Sequence, residues 1–445
     1  MNRQETELLV ENWRKLLNNN TCREELMLNE INLKNTLLTL AMSAAALVPS
    51  YAEAVPTSTI QDEISISLEN RTEGRISVYN VSGDDGFMTI VARSLEEAEK
   101  TAAKYKESGK ENPNILICDF DKKFLKIPQE ILTLTMQSHQ KYFPTFDSKN
   151  EVTNEFLIVA NRKDQKGLIK IGNERVVEAR LSDAEFFWDK DKTQNLVKKV
   201  SELKLMNFFK GLGSYFDKVQ RMRKLGGMLS DELLISKEKV ELSASICKTD
   251  LTSGLVGEFP ELQGIMGGYF SLHQGFDKDI TLAITEQYLP IGLDSKISRK
   301  PFSVALSVTD KIDTLVGFFG INEKPTSSKD PFALRRIALG IIRLIIENKK
   351  NLKINDLLSY SSNLYHDQGH KFFNQDLQKE LKIFLKDRFK YYMKEKQIRF
   401  DIIDATISSF SLNKLFSSFE KANCLNKIIN NQTGLDITSS YKRAS

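Results

Sequence analysis

Two apolar segments in the second half of the chain carry charged side chains at spacings that favour chemistry or ion pairing. The segment FSVALSVTDKIDTLVGFFG holds Asp310 and Asp313, which project from one side of a helix because they are three residues apart. The segment FALRRIALGIIRLII holds Arg336 and Arg343, which share a face because the spacing of seven residues advances a helix by about two turns. An unpaired buried arginine is strongly destabilising, so we expect structural ion pairs between the two helices.

The start of the second helix, KDPFALRR, has its own signals. Asp330 is predicted to cap the free backbone N–H groups, and Pro331 suits the first helical position, where no N–H is needed. Arg335 points about 100° away from Arg336. The alternative to an ion pair is therefore that Arg335 leaves the core to contact a phosphate.

Two further stretches combine basic and aromatic residues, as nucleic-acid surfaces do. They are GSYFDKVQRMRKLGG and KDRFKYYMKEKQIRF, and both have a helical pattern. A solvated helix face accounts for such a pattern as well as phosphate binding does. The candidate contacts are Lys218, Arg221, Arg223, Lys224, Lys386 and Arg388.

The signatures of several common enzyme classes are absent. The chain has no GxxxxGK[ST] loop, no GxGxxG after a strand, no GxSxG and no HExxH. In LYHDQGHKF, His366 and His370 with Asp367 between them resemble half of a metal site, but a polar turn around Gly369 is the simpler interpretation. No metal site is predicted.

Composition sets broad limits on the compartment and the partners. The 63 basic and 59 acidic residues give a net charge of +4, which permits a nucleic-acid partner without requiring one. Four distant cysteines without a CxxC pair favour a reducing cytoplasm. Residues 34–54 resemble a secretory signal, although a buried Ala/Leu helix explains them equally well, and the apolar run of about 12 residues is too short to span a membrane.

The pattern of elements changes along the chain. A helix is expected within residues 1–30, strands at ISISLEN, RISVYNV and FMTIVAR, and an exposed helix from Ser94. Two strands, 115–120 and 156–161, flank another helix. Beyond Gly172 the chain is predicted to be helical, with helices at about 200–228, 239–258, 276–289, 301–319, 331–348, 375–396 and 412–430.

Eight motifs, in order and spacing, resemble the beta subunit of bacterial heterotetrameric glycyl-tRNA synthetase, and the resemblance covers residues 116–445. They are HQKYF (139–143), GNERVVEARLSDAEFFWDKD (172–191), GLGSYFDKVQRM (211–222), CKTDL (247–251), EFPELQGIMGGYF (258–270), AITEQYLP (283–290), DKIDTLVGFFGI (310–321) and PTSSKDPFALRRIALGIIRLI (325–345).

The resemblance implies a non-catalytic subunit of a ligase. In that family the beta subunit binds tRNA(Gly), while the alpha subunit of the alpha2beta2 enzyme uses ATP and Mg to activate glycine. No cofactor is implied for this chain. The family's central region resembles an HD-type phosphohydrolase. Lys248 and Asp250 stand where its His-Asp ligands are expected, and Asp310 or Asp313 resembles its later aspartate. Since the histidines are missing, metal-dependent hydrolysis is not expected.

We therefore expect a mainly α, multidomain, cytoplasmic protein. The expected parts are an atypical N-terminal segment with a small α+β unit (1–115), an α+β segment resembling the end of the family's tRNA-binding region (116–195), an HD-like helical domain with a degenerate metal site (196–360), and a helical region leading into a truncated anticodon-binding domain (361–445). In the last part Lys442 and Arg443 match the start of a basic motif and are further candidate tRNA contacts. The alternatives are an HD-type metal phosphohydrolase and an exported protein with a decayed synthetase tail.

Overall fold

The computed structural model describes residues 65–69, 77–83, 86–92, 114–147, 149–160, 163–326, 328–370 and 376–429, together with 431 and 434. The predicted helix in 1–30, the signal-like segment 34–54, the helix from Ser94, and Lys442 and Arg443 lie outside these residues and stay predictions. The described chain forms two compact units. Of the described residues, one unit comprises those from 65 to 193 together with 253–262, and the other comprises 194–252 and those from 263 onward.

The first unit begins with a three-stranded antiparallel sheet. Strands β1 (Ser65–Glu69), β2 (Ser77–Gly83) and β3 (Gly86–Ala92) lie in the order β1-β2-β3, and Gly83 pairs with Gly86. All three predicted strands are thereby confirmed.

A second sheet and a long helix follow in the same unit. Strands β4 (Asn114–Asp119), β5 (Phe143–Phe146) and β6 (Val152–Ala160) pair in the order β4-β6-β5. Helix α1 (Gln129–Leu134) lies between β4 and β5 and continues as a π-helical turn, and α2 (Leu168–Asp191) buries a stripe at helical spacing: Val177, Leu181, Ala184 and Trp188. The two predicted strands are confirmed, whereas β5 was not predicted.

Helices dominate the rest of the described chain, as predicted, although the helix expected at about 239–258 is divided into two, Lys237–Ile246 and Gly254–Glu258. The helices are α3 (Leu196–Lys199), α4 (Tyr215–Leu233), α5 (Lys237–Ile246), α6 (Gly254–Glu258, part of the first unit), α7 (Ile265–His273), α8 (Lys278–Glu286), α9 (Pro301–Gly320), α10 (Leu334–Glu347), α11 (Ile354–Asp367), α12 (Asp376–Glu395), α13 (Phe400–Ser408) and α14 (Leu415–Ile429). No helix in the described ranges has the length and apolar character needed to cross a membrane.

The expected helix at about 200–228 is wrong in its first half. A hairpin of β7 (Asn207–Phe209) and β8 (Gly213–Ser214) interrupts it, because Gly211 and Gly213 adopt the positive φ angles 89° and 82° that the turn requires. Helix α4 then starts with a capping box. The Ser214 Oγ accepts from the Asp217 N–H, and the Asp217 carboxylate accepts from the Ser214 N–H.

Helix α9 is the central element of the second unit. It starts with Pro301 at the first helical position, and every residue from Phe302 to Asp313 is buried, since α4, α8, α10, α11 and α12 pack around it. The expectation that this apolar segment forms a largely buried helix is confirmed. Any charge on this helix must therefore find its partner inside the protein.

The stretch KDPFALRR ends in a helix that starts later than expected. The Asp330 carboxylate accepts hydrogen bonds from the N–H groups of Leu334 (2.8 Å) and Arg335 (3.0 Å), so the predicted cap is confirmed. Pro331 lies in a turn before the helix and not at its first position. Arg335, in the first turn of α10, donates to the carbonyl of Thr326 in the preceding loop.

The predicted ion pairs between α9 and α10 are wrong. Arg336 is exposed, because it lies on the outer face of α10. Arg343 is buried, but it donates to the Glu347 carboxylate one turn further on (2.8 Å) and to the carbonyls of Gly292 and Ser295. Backbone carbonyls of the loop before α9 thus satisfy this guanidinium, and Asp310 and Asp313 pair with other cations.

We expect Gly317→Ala to lower the free energy of unfolding by about 1–3 kcal/mol, because overpacking forces neighbours out of place. A Cβ at Gly317 would lie 2.9 Å from Tyr365 Cζ and 3.2 Å from Leu212 Cδ1. The measurement is urea unfolding followed by circular dichroism. Gly172→Ala is the control, since no heavy atom lies within 4 Å of its Cβ position and α2 should gain helix propensity. Equal stability of the two variants would show that α9 and α11 are not tightly packed here.

Candidate functional site

The residues with the strongest mutual electrostatics lie where α4, α9 and α11 meet. Arg221 on α4 donates from Nε to Asp313 Oδ1 (2.6 Å) and from Nη2 to Asp313 Oδ2 (3.1 Å). Both side chains are almost completely buried, with exposures of 1% and 0%. A bidentate, charge-assisted pair of this kind fixes distance and orientation together.

Helix α11 completes the surroundings of Arg221. The Tyr365 hydroxyl lies 2.9 Å from Nη2, its ring centroid lies 3.7 Å from the guanidinium carbon, and Gln368 Oε1 accepts from Nη1 (2.6 Å). The same hydroxyl lies 3.1 Å from the Asp313 carbonyl oxygen. Every nitrogen of the guanidinium therefore has an acceptor, as a buried arginine requires.

A second group of charges surrounds Asp310. The Nζ of Lys218 lies 3.0 Å from Asp310 Oδ1 and 3.2 Å from Asp313 Oδ2, so it bridges the two carboxylates. The Nζ of Lys248 lies 3.3 Å from the same oxygen, Asp310 Oδ1. Both ammonium groups also lie over aromatic rings: Lys218 over Phe208 (4.4 Å) and Lys248 over Tyr288 (4.0 Å). We call Lys218, Arg221, Lys248, Asp310, Asp313 and Tyr365 the buried charge cluster.

The cluster keeps its acids and bases charged. Burial alone would raise the pKa of Asp313, but the charges of Arg221 and Lys218 outweigh it and hold that pKa below its ordinary value. The pKa of Asp310 is lowered well below its ordinary value because Lys218 and Lys248 outweigh its burial. Conversely, Asp310 outweighs the burial of Lys248 and raises the pKa of that lysine.

Two neighbouring charged residues have separate structural roles. Asp250 Oδ2 accepts from the Gly267 N–H in the first turn of α7 (3.2 Å), where a carboxylate also interacts well with the helix dipole, and burial raises its pKa. Lys311 donates to the carbonyl oxygens of Tyr288 (3.3 Å) and Leu289 (2.9 Å) and to the Ser307 Oγ (2.7 Å). Burial lowers the pKa of Lys311 to about 7.

The sequence-based RNA candidates fall into two groups. Lys218 and Arg221 are buried ion-pair partners of Asp310 and Asp313, so their assignment to an RNA-binding surface is wrong. Arg223 and Lys224 are exposed on the outer face of α4, where Arg223 lies 3.4 Å from the Glu241 carboxylate.

The candidates on α12 are partly buried. Lys386 is half-buried, and Arg388 lies beside the rings of Phe384 (6.0 Å) and Tyr391 (5.7 Å). The Nε of Arg388 is buried and has no hydrogen-bond partner among the described residues. Contact with RNA remains a prediction for Arg223, Lys224, Lys386 and Arg388.

The segment that contains His366 and His370 forms the C-terminal end of α11. The helix ends at Asp367, Gly369 has a φ of 88°, and the His370 N–H donates to the Tyr365 carbonyl (3.2 Å), as in a Schellman motif. His366 and His370 therefore do not share a helical face, and the polar turn around Gly369 is confirmed. Within the residues that the structure describes, no group of three or more His, Cys, Asp or Glu side chains is arranged to hold a metal ion.

Sequence reasoning missed Tyr365 and Gln368 and misplaced Lys218 and Arg221. A signal for the last two was present in α4. Lys218 and Arg221 recur at helical spacing with Met222, Leu225 and Leu229, which makes them part of the buried stripe. Tyr365 and Gln368 lie 144 and 147 residues from Arg221, and no local pattern reports contacts of that separation.

We expect Arg221→Met to lower the free energy of unfolding by about 3–5 kcal/mol, because it leaves the Asp313 carboxylate buried without its bidentate partner. The double variant Arg221→Met/Asp313→Leu should recover part of that loss, since neither half of the pair remains. Urea unfolding measures both. The control is Arg223→Met on the same helix, whose exposed pair with Glu241 contributes about 0–1 kcal/mol. A double variant less stable than Arg221→Met would contradict the proposed energetics.

The lowered pKa values of Asp310 and Asp313 predict a pH dependence. A carboxyl group whose pKa is lower in the folded than in the unfolded state contributes stability above its ordinary pKa of 3.8, and this contribution is lost as the pH falls through the folded pKa. The stability difference between the wild type and Asp313→Asn should therefore be constant from pH 7 to about pH 5 and shrink below about pH 4. Urea unfolding at a series of pH values measures it, and a difference that grows with acidification would refute the assignment.

The comparisons with known proteins agree on one family. The family model described as "Glycyl-tRNA synthetase beta subunit" matches residues 106–408. A glycine–tRNA ligase beta subunit of Rhodospirillum centenum is 37% identical over 338 residues, which cover 75% of this chain and 47% of the relative. Its counterpart in Rickettsia canadensis is 40% identical over 336 residues, covering 75% of this chain and 49% of the relative. The beta subunit of a Janthinobacterium species is 44% identical over 250 residues, which cover 56% of this chain and 36% of the relative.

These matches confirm the resemblance carried by the sequence motifs. They favour neither the phosphohydrolase nor the exported protein that the sequence had left as alternatives. The chain spans about half or less of the length of these relatives. Because the family model matches more than half of the residues of this chain, the chain belongs to the glycyl-tRNA synthetase beta subunit family.

Proposed function

We propose that this chain acts as a tRNA-binding, non-catalytic beta subunit of glycine–tRNA ligase. In this role it supports the ATP-dependent attachment of glycine to tRNA(Gly) by a separate alpha subunit in an alpha2beta2 assembly in the cytoplasm. ATP and Mg are used by the alpha subunit, and this chain binds no cofactor of its own. Family membership over residues 106–408 supports the proposal.

The proposal that the chain is non-catalytic rests on the ion pairs that the two central carboxylates form with cations of the same chain. Asp313 is held by Arg221 and Lys218, and Asp310 by Lys218 and Lys248. Groups that act as general acids, general bases or metal ligands must exchange protons or bind metal. The pKa values of Asp310 and Asp313 are instead held low by ammonium and guanidinium groups of the same chain. This arrangement supports a structural role for the cluster.

We extend the proposal to the architecture. Residues 196–360 would form an HD-like helical domain in which Lys248 occupies the histidine position and Asp250 caps a helix. The helical region 361–445 would lead into the anticodon-binding part. Exposed cations such as Arg223 and Lys224 are available to phosphate groups.

The test uses the purified full chain and a separately purified, tagged alpha subunit of a glycine–tRNA ligase. We expect the two to co-purify, and we expect the chain to bind tRNA(Gly) in a filter-binding assay more tightly than an unrelated tRNA. Failure of both assays would refute the proposal. Metal analysis of the same preparation separates it from the phosphohydrolase alternative, because a stoichiometric divalent ion would favour hydrolysis.

A further inference from the structure

One edge of helix α12 carries a row of lysines. Lys379, Lys382, Lys386, Lys390 and Lys394 follow one another at intervals of three or four residues, which places them along one side of the helix. At the rise of an α-helix the row extends over about 22 Å. We call these five residues the lysine edge.

The packing of α12 fixes the direction in which this edge points. Leu377, Leu381, Leu385 and Phe389, each four residues apart, are buried and form an apolar stripe that runs beside the lysine edge. Lys379, Lys382 and Lys394 are exposed, and Lys386 and Lys390 are half-buried. Because α10 and α13 pack on the apolar face, the helix cannot rotate to hide the lysines without exposing that face.

The lysine edge has no ion-pair partner in the described part of the chain. Glu380 on the same helix pairs with Lys324 (2.7 Å), which lies on the connection between α9 and α10. The other acidic residues of the helix, Asp376, Asp387 and Glu395, form no ion pair with the five lysines. Elsewhere in this unit exposed lysines do find carboxylates, such as Lys239 with Asp277 (2.8 Å).

This arrangement is unfavourable for an isolated helix. Lys382, Lys386, Lys390 and Lys394 form three successive like-charged pairs at the i, i+4 spacing, and such pairs destabilise a helix. A bound polyanion would relieve the repulsion of all of them at once. The row therefore has the charge and the spacing of a docking surface for a regularly repeating negative charge.

The chemistry of the edge favours a nucleic acid over a protein as the occupant. Lysine is depleted at protein–protein interfaces, whereas interfaces with nucleic acids are much more positively charged. Lysine side chains on a helix edge contact phosphate oxygens as point charges and do not read bases. We propose that the lysine edge binds the phosphate backbone of RNA, independently of base sequence. This proposal rests on the proposed function, in which the RNA is a tRNA.

The test compares two triple variants of the full chain in filter binding to tRNA(Gly) over a range of salt concentrations. One is Lys382→Gln/Lys386→Gln/Lys390→Gln in the lysine edge. The other is the control Lys237→Gln/Lys278→Gln/Lys296→Gln, which removes the same charge from exposed lysines of the same unit. Glutamine has a helix propensity close to that of lysine, and thermal unfolding verifies that both variants fold.

We expect the edge variant to bind about tenfold or more weakly at low salt, and the slope of log K against log salt to fall by about 2 units, since each lost phosphate contact removes about 0.7–0.9. The control should stay within about twofold of the wild type. A single substitution, Lys382→Gln, should give about one third of the change in slope and provides the readout if the triple variant does not fold.

The outcomes separate this proposal from the proposed function. If the wild type binds RNA but the edge variant has the same slope as the control, the lysine edge is not the phosphate-binding surface, while the function stands. If the edge variant binds RNA normally but no longer co-purifies with the alpha subunit, the surface docks a protein and the proposal is wrong. Absence of RNA binding by the wild type overturns both.

Discussion

The bidentate ion pair between Arg221 and Asp313 is the contact on which the arrangement of α4, α9 and α11 depends. At exposures of 1% and 0%, neither charge interacts with bulk water, so each is tolerated only because the other is in place. Tyr365 and Gln368 then satisfy the remaining donors of the guanidinium. The relative positions of α4, α9 and α11 are therefore specified more strictly than apolar packing alone would specify them, because a displaced helix would leave a charge without its partner.

The same logic explains the surroundings of Asp310. Two ammonium groups approach one carboxylate, and each also lies over an aromatic ring. The cation–π attraction offsets part of the free-energy cost of removing these charges from water. Such a centre holds the helices together through side chains of the chain itself.

Local signals in the sequence were reliable where the structure is itself local. Asp330 caps α10 through bonds to residues four and five positions away, and the burial of α9 agrees with its mainly apolar composition. Apart from the β7–β8 hairpin, β5 and the position of Pro331, the errors arose where a charge was assigned a partner. Arg343 is satisfied by carbonyls at Gly292 and Ser295, which depend on the path of a loop, and β5 contains a proline and only four residues. Lys218 and Arg221 were interpreted by their charge, although their position in the apolar stripe of α4 decides their environment.

The buried charge cluster also bears on how the second unit folds. Its partners are far apart along the chain: Arg221 and Asp313 are separated by 92 residues, and Arg221 and Tyr365 by 144. Closing such long loops costs entropy before any contact compensates for it. A partly assembled unit would hold an arginine or an aspartate in an apolar interior without its counterpart, which makes intermediates unfavourable. The charges thus favour one cooperative transition for α4, α9 and α11, three helices that lie far apart in the sequence.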